Sequence, residues 1–185
     1  MNEQEAINLL KKEKNLDTLI LHSITVSEVS TILALAIRKK GYDIDLHLVK
    51  VGSLLHDIGR TRTHSVHHGY VGGRLLREMG IDEKIARIAE RHVGGGLSKK
   101  DAETLKLPEG IYIPETLEEK VVCFADKMVE IDHVIPLEET LDKFRTELGD
   151  ESDSVQRLLK LKGELAKLLD CDPEEVVNKN FVSMR

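Results

Sequence analysis

This 185-residue chain has no tryptophan, and aromatic residues make up only 3% of it. A base-stacking platform for single-stranded nucleic acid is therefore poorly supplied. Basic charge is not in excess either, since the formal net charge is −6. Tracking a polynucleotide backbone takes a basic surface, so nucleic acid is not the expected partner. Cysteine is scarce. Cys123 and Cys171 lie far apart and form no CxxC, so neither a thiolate metal site nor a disulfide framework is expected. No run of about 18 uncharged apolar residues occurs, so no membrane span is expected. The first residues, MNEQEAINLLKKEKN, lack the basic start, apolar middle and small-residue cleavage site of a signal peptide. The expected location is the cytoplasm.

What is present reads almost entirely with helical period. After an N-terminal helix within 1–16, Asp17 is a plausible N-cap for a helix that runs to Lys40 and is stopped by Gly41. The next helix starts at Asp43 or Asp45 and carries Ile44, Leu48, Val51, Leu55 and Ile58 at alternating steps of four and three, ending near Gly59. A turn, RTRTHSV, leads to a helix over His68–Met79. Asp82 caps EKIARIAERH, which is broken at Gly94. Residues 97–116, with Pro108 and Pro114, read as loop-rich, with a short helix after Ser98. LEEKVVCFADKMVE reads as a helix ending before Pro136. Leu137–Leu148, Val155–Leu169 and a short stretch after Pro173 complete the series. No alternating strand is longer than GIYI. The expected fold is all-α, with the main domain over 17–135 and residues 136–185 as a helical extension packed on it.

The histidines stand on unexpected faces. Stepping by four and three from His22 reaches Val26, Val29, Leu33 and Ala36; from His68, Gly72, Leu75 and Met79; backward from His92, Ile88, Ile85 and Ile81. Asp126 sits between Val122 and Val129, and His56 follows Val49 and Gly52. A buried polar group without partners costs roughly 1–3 kcal/mol, and a buried charge more. Each residue alone has an ordinary explanation as a hydrogen-bonded core histidine or an ion-paired carboxylate. Five apolar stripes interrupted in this way have a common one: a bound cation that satisfies all of them. It also explains LLHDIG, where His56 and Asp57 stand side by side in an apolar run. His67, in contrast, shares its stripe with Arg74 and Glu78, a solvated face. His47 and His133 read as surface residues, and His64 lies in a turn from which it either reaches the site or faces solvent.

His22-Ser, His56-Asp57-Ile58-Gly59 and a distant Asp126 in ADKM resemble the HD-domain metal-dependent phosphohydrolase superfamily, in its HDIG subgroup. The resemblance covers about Asp17 to Glu130 and implies an HD-domain helical bundle. HHGYVGGRLL and ERHVGG are similar to the segments that supply two further histidines in two-metal members, such as HD-GYP proteins and bacterial diadenosine tetraphosphate hydrolases. At those positions stand His68 and His92. HHGYVGG has Gly-Tyr without the following Pro, which departs from the form that cyclic di-GMP enzymes use.

The implied ligands are His22, His56, Asp57, His68, His92 and Asp126. This nitrogen and oxygen set suits Fe, Mn, Ni, Co or Zn, as one or two divalent ions. Six side chains fit two metals about 3.5–4 Å apart, bridged by Asp57. His22, His56 and Asp126 then complete one ion, His68 and His92 the other. Water bound there loses a proton near neutral pH, since its pKa can fall to about 7, and the resulting hydroxide is the expected nucleophile. Arg60, leaving the same turn, is the expected phosphate clamp, because its fork matches phosphate geometry. Arg62, Arg91 and Lys127 are further nearby cations; Arg91 and Lys127 are expected to be solvated. The expected function is hydrolysis of a phosphate ester or anhydride of a nucleotide or related small molecule. The alternative is a non-catalytic HD module that senses a nucleotide or supports a partner; a two-iron oxygenase is a third reading. In the tail, Leu158, Leu161, Leu165 and Leu168 form an apolar edge expected to pack on the domain, or else to meet a second copy of the chain.

Overall fold

The long second helix organises the chain because most of its sides are apolar. In the computed structural model, which describes residues 1–13, 17–149 and 152–181, α2 (Asp17–Lys39) packs against α3 (Leu46–Leu55), α7 (Leu117–Asp126) and α10 (Pro173–Phe181). Residues 14–16 of the expected N-terminal segment, and 150–151 and 182–185 of the expected extension, lie outside the described residues. By length and composition alone α2 is long and apolar enough to cross a membrane. Of its most apolar stretch, 61% is buried inside the protein, which accounts for that apolarity.

The remaining helices are α1 (Glu3–Lys12), α4 (His68–Glu78), α5 (Glu83–Arg91), α6 (Lys99–Thr104), α8 (Leu137–Leu148) and α9 (Asp153–Leu169). Their ends follow local chemistry. The Asp45 side chain accepts from the Leu48 amide at the start of α3, and Asp82 accepts from Lys84 at the start of α5. Asp17 is itself the first helical residue of α2.

Two apolar clusters meet around α2 and α3. One joins Val26, Val29 and Leu33 of α2 to Val122 and Phe124 of α7 and to Leu158, Leu161 and Leu165 of α9. The other joins Leu10 of α1, Leu54 and Leu55 of α3, Leu76 of α4 and Ile85 of α5. The leucine edge of α9 is thus spent inside the chain, with Leu168 packed against the same cluster. The edge packs on the domain, as expected, rather than being left over for the alternative contact with a second copy.

Two segments differ from the sequence reading. The helix expected to reach Gly59 stops at Leu55, and Ile58–Thr61 forms a 3-10 turn with Asp57 at the junction (φ −98°, ψ 12°). A Cβ on Gly59 would lie 1.9 Å from the His68 carbonyl oxygen and 2.6 Å from the Gly72 nitrogen, so only glycine lets this turn lie on the start of α4. The helix expected to continue through Glu130 ends at Asp126. Val129–Glu130 (β1) pairs antiparallel with His133–Val134 (β2) instead. The apolar positions of this stretch suit either period; the pairing of two β-branched residues, Val129 with Val134, selects the hairpin.

Candidate metal centre

Helix ends supply most of the site. His22 comes from the first half of α2. His56 is the C-cap of α3, followed by Asp57; His68 begins α4; His92 is the C-cap of α5; Asp126 ends α7. Three helix C-termini therefore converge, and their partial negative charge favours a cation. They also leave backbone carbonyls without intrahelical donors. His56 Nδ1 lies 2.6 Å from the Ser53 oxygen, and His92 Nδ1 lies 2.7 Å from the Ala89 oxygen. His68 Nδ1 is likewise 2.8 Å from the Ser65 oxygen. A carbonyl only accepts, so each ring carries its proton on Nδ1 and, when neutral, turns the lone pair of Nε2 inward.

Those lone pairs face one another and face carboxylates. His68 Nε2 and His92 Nε2 are 3.1 Å apart, and each is 3.2 Å from Asp57 Oδ1. The other Asp57 oxygen, Oδ2, faces His56 Nε2 at 3.8 Å and His22 Nε2 at 4.0 Å. His22 Nε2 is 3.0 Å from Asp126 Oδ1. His56 Nε2, fully buried, is 3.3 Å from the same oxygen but not aligned for a hydrogen bond, and it has no hydrogen-bond partner among the described residues. Donor atoms without protons gathered this closely are what a divalent cation satisfies. His22, His56 and Asp126 present ligand atoms within 4.8 Å of one another, as do His56, Asp57 and His92. The cluster is able to hold a metal.

The ionisation pattern agrees. Burial would raise Asp57, but the charge of His56 and the facing His68 and His92 rings hold its carboxyl well below the usual range. Asp126 is also held low against burial, chiefly by the Lys127 ammonium and the His22 and His56 rings. Burial pushes His92 down to about 4, with Asp57 pulling the other way. His56 is buried too, yet Asp57 and Asp126 outweigh the desolvation and raise it. Both carboxylates are thus available as anionic ligands at neutral pH.

The expected residues come together: His22, His56, Asp57, His68, His92 and Asp126 form one cluster. His67 does not join it; its Nε2 donates to the Leu105 carbonyl at 2.9 Å. His47 and His133 are exposed. His64 lines the cleft in front of the cluster. Arg60 donates from Nε to Asp57 Oδ2 at 2.7 Å, so it orients a candidate ligand as well as facing the cleft.

Two expectations about cations are corrected. Arg91 is buried rather than solvated. Its Nε donates to the Ile111 carbonyl, and its guanidinium pairs with Glu115 at 2.7 Å and Glu119 at 2.9 Å, tying α5 to the start of α7. Lys127 is mostly buried and pairs with Asp126, which raises its pKa in spite of desolvation. The partners of Arg91 are remote in sequence, so local pattern gave no sign of them; Lys127 pairs with its own neighbour, Asp126, and only the packing around that helix end buries the pair.

A cleft of about 830 Å³ opens onto one side of the cluster, lined by His22, Asp57, Arg60, Asp126 and Lys127. Thr140, Lys143 and Phe144 of α8 line it too, although the sequence reading attached no site to that helix. Their spacing of three and four, one face of a helix, was the available signal.

The chain belongs to the HD-domain family: a family model described as HD domain matches residues 19–131. It is 44% identical over 169 residues to an uncharacterized protein of Methanocaldococcus jannaschii, covering 91% of this chain and 99% of that one. A tRNA (cytidine(56)-2'-O)-methyltransferase of Picrophilus torridus is 37% identical over 175 residues, covering 95% of this chain and 49% of the relative; this chain spans about half the length of that protein. Among solved structures, the HD domain of the L. monocytogenes phosphodiesterase PgpH in complex with cyclic-di-AMP shares the fold, with a TM-score of 0.58, 16% identity and 98% of both chains covered.

Proposed function

We propose that this protein is a metal-dependent phosphohydrolase that cleaves a phosphate ester or anhydride of a nucleotide or related small molecule. The observation that carries the reading is the Asp57 carboxylate, with Oδ1 between His68 and His92 and Oδ2 toward His22 and His56. His22, His56 and Asp126 would hold one divalent ion and His68 and His92 a second, with Asp57 presenting an oxygen to each set. When bound, these ions supply Lewis-acid charge to a phosphoryl oxygen and lower the pKa of coordinated water toward about 7. The protein's own part is to fix the ligand rings through their Nδ1–H bonds and to orient Asp57 through Arg60. The guanidinium of Arg60 also faces the cleft, where a phosphate is received.

Membership of the HD family and the fold shared with a phosphodiesterase domain support the reading. Methyl transfer forms no part of it, because the matched region covers only half of the methyltransferase relative and a His–Asp cluster is a metal-ligand set. Ligand chemistry allows Fe, Mn, Ni, Co or Zn. A cytoplasmic setting belongs to the same proposal, supported by two free cysteines, Cys123 and Cys171. The test is elemental analysis of the purified protein together with a panel of nucleotide mono-, di- and cyclic phosphates. Bound transition metal and metal-dependent turnover of at least one ester are expected. A fully metal-loaded protein inert toward the whole panel would leave the non-catalytic module as the better reading.

A further inference from the structure

The cleft is built partly from outside the family match, which ends at residue 131. Helix α8 presents Thr140, Lys143 and Phe144 to it; Leu137 and Leu141, on the same face as Phe144, are buried in the core, and Phe144 stands half-buried between that core and the cleft. The helix is pinned to the site itself, because Thr140 Oγ1 donates to the Lys127 carbonyl at 2.7 Å. Lys127 in turn follows Asp126.

Among the described residues, three cations line the cleft: Arg60, Lys127 and Lys143. Arg60 and Lys127 each contact a candidate ligand, Asp57 and Asp126, so a single phosphate at the metal centre lies within their reach. Lys143 is different. Its Nζ bonds Glu130 Oε1 at 2.9 Å, away from the ligands, and both side chains are about half exposed. An exposed pair of this kind is worth little, so its lysine is readily exchanged to another anion. Beside it, Phe144 and Ile131 offer apolar surface in a chain with only three phenylalanines and no tryptophan. The volume of about 830 Å³ falls in the upper part of the range for small-molecule sites, about 300–1,000 Å³.

Resting on the phosphohydrolase reading, we infer that Lys143 is a specificity-determining residue: its ammonium receives a second phosphate of the substrate, and Phe144 takes the face of a base. The substrate class is then a small nucleotide with two separate phosphate groups, such as a dinucleotide, rather than a nucleoside monophosphate. A net charge of −6 favours a small ligand over a long polynucleotide.

The test is equilibrium binding to the metal-loaded protein of two probes: a phosphorothioate-linked diadenylate with a 5′-phosphate, and AMP. Lys143→Ala should weaken the diadenylate about tenfold or more and AMP less than about twofold, with Lys143→Arg close to wild type. Lys84→Ala, an exposed lysine on α5, should change neither. Equal losses for both probes, no loss for the diadenylate, or failure of the wild type to bind it would each overturn the inference and return Lys143 to an ordinary surface ion pair. The reading it rests on fails separately, by absence of product from hydrolysable esters whatever the binding shows.

Discussion

The two halves of the centre are built alike and situated differently. His68 and His92 are buried, 3.1 Å apart, and do not line the cleft. His22 and Asp126 line it, and their side chains are 16% and 10% exposed. Asp57 belongs to both. A divalent ion in the buried half would be held by side chains alone, whereas one in the open half would have a face toward a ligand. On the proposed reading, the first half would hold an ion and the second would meet the substrate.

Asp57 is the residue that the two halves share, and removing it tests both at once. Asp57→Ala should strip both ions and lower kcat/KM roughly 10³-fold or more, while His133→Ala should do neither. Metal content and steady-state rates measured on both variants decide it, and full occupancy in the Asp57 variant would refute the bridge. Next, the halves can be separated. His68→Ala should lose about one metal equivalent with the other retained, and His67→Ala, whose ring is bonded to the Leu105 carbonyl, should lose none. Equal losses would mean that the face on which His68 stands does not matter.

Arg60→Ala tests the open half. At saturating metal it should keep its ions while kcat/KM falls about 10²–10³-fold, the cost of losing one charge-assisted contact to developing charge. Lys at this position should recover only part, since the fork is lost. Wild-type kinetics in Arg60→Ala would leave it only the contact to Asp57.

The smallest effect concerns pH in chelated protein. His92, held down to about 4 against an ordinary 6.5, is neutral in the folded chain and protonated in the unfolded one between those values. It therefore contributes stability that is full above 6.5 and lost as pH falls toward 4. His56, raised above 6.5, contributes stability that is full below 6.5 and lost as pH rises through its folded value. From this pair a stability maximum near pH 6.5 is expected, measured by urea midpoints. His92→Gln should flatten its acid side, and an unchanged acid slope would argue against a buried neutral ring.

Much of the centre was legible in the sequence because helix period is set by the backbone. His22 falls on the stripe of Val26, Val29 and Leu33 whatever the helix packs against, and those residues are buried. The same reasoning separated His68 from His67. Glycines and caps marked most helix ends, as Asp82 and Gly80 (φ +70°) do. Less was legible where short segments chose between periods. The hairpin at 129–134 and the early end of α3 depend on pairing and on the fit of Gly59 against α4, and neither is local.

Spacing along a helix fixes direction, so the chain's pattern alone puts several histidines and aspartates on buried helical faces. Packing settles which of them meet, that Asp57 stands between two sets of rings, that Arg91 spends its charge on Glu119, and that α8 completes the cleft. Those outcomes depend on which helix ends converge. Convergence is a property of how whole faces pack, and a one-dimensional pattern carries direction but not distance between elements far apart in the chain.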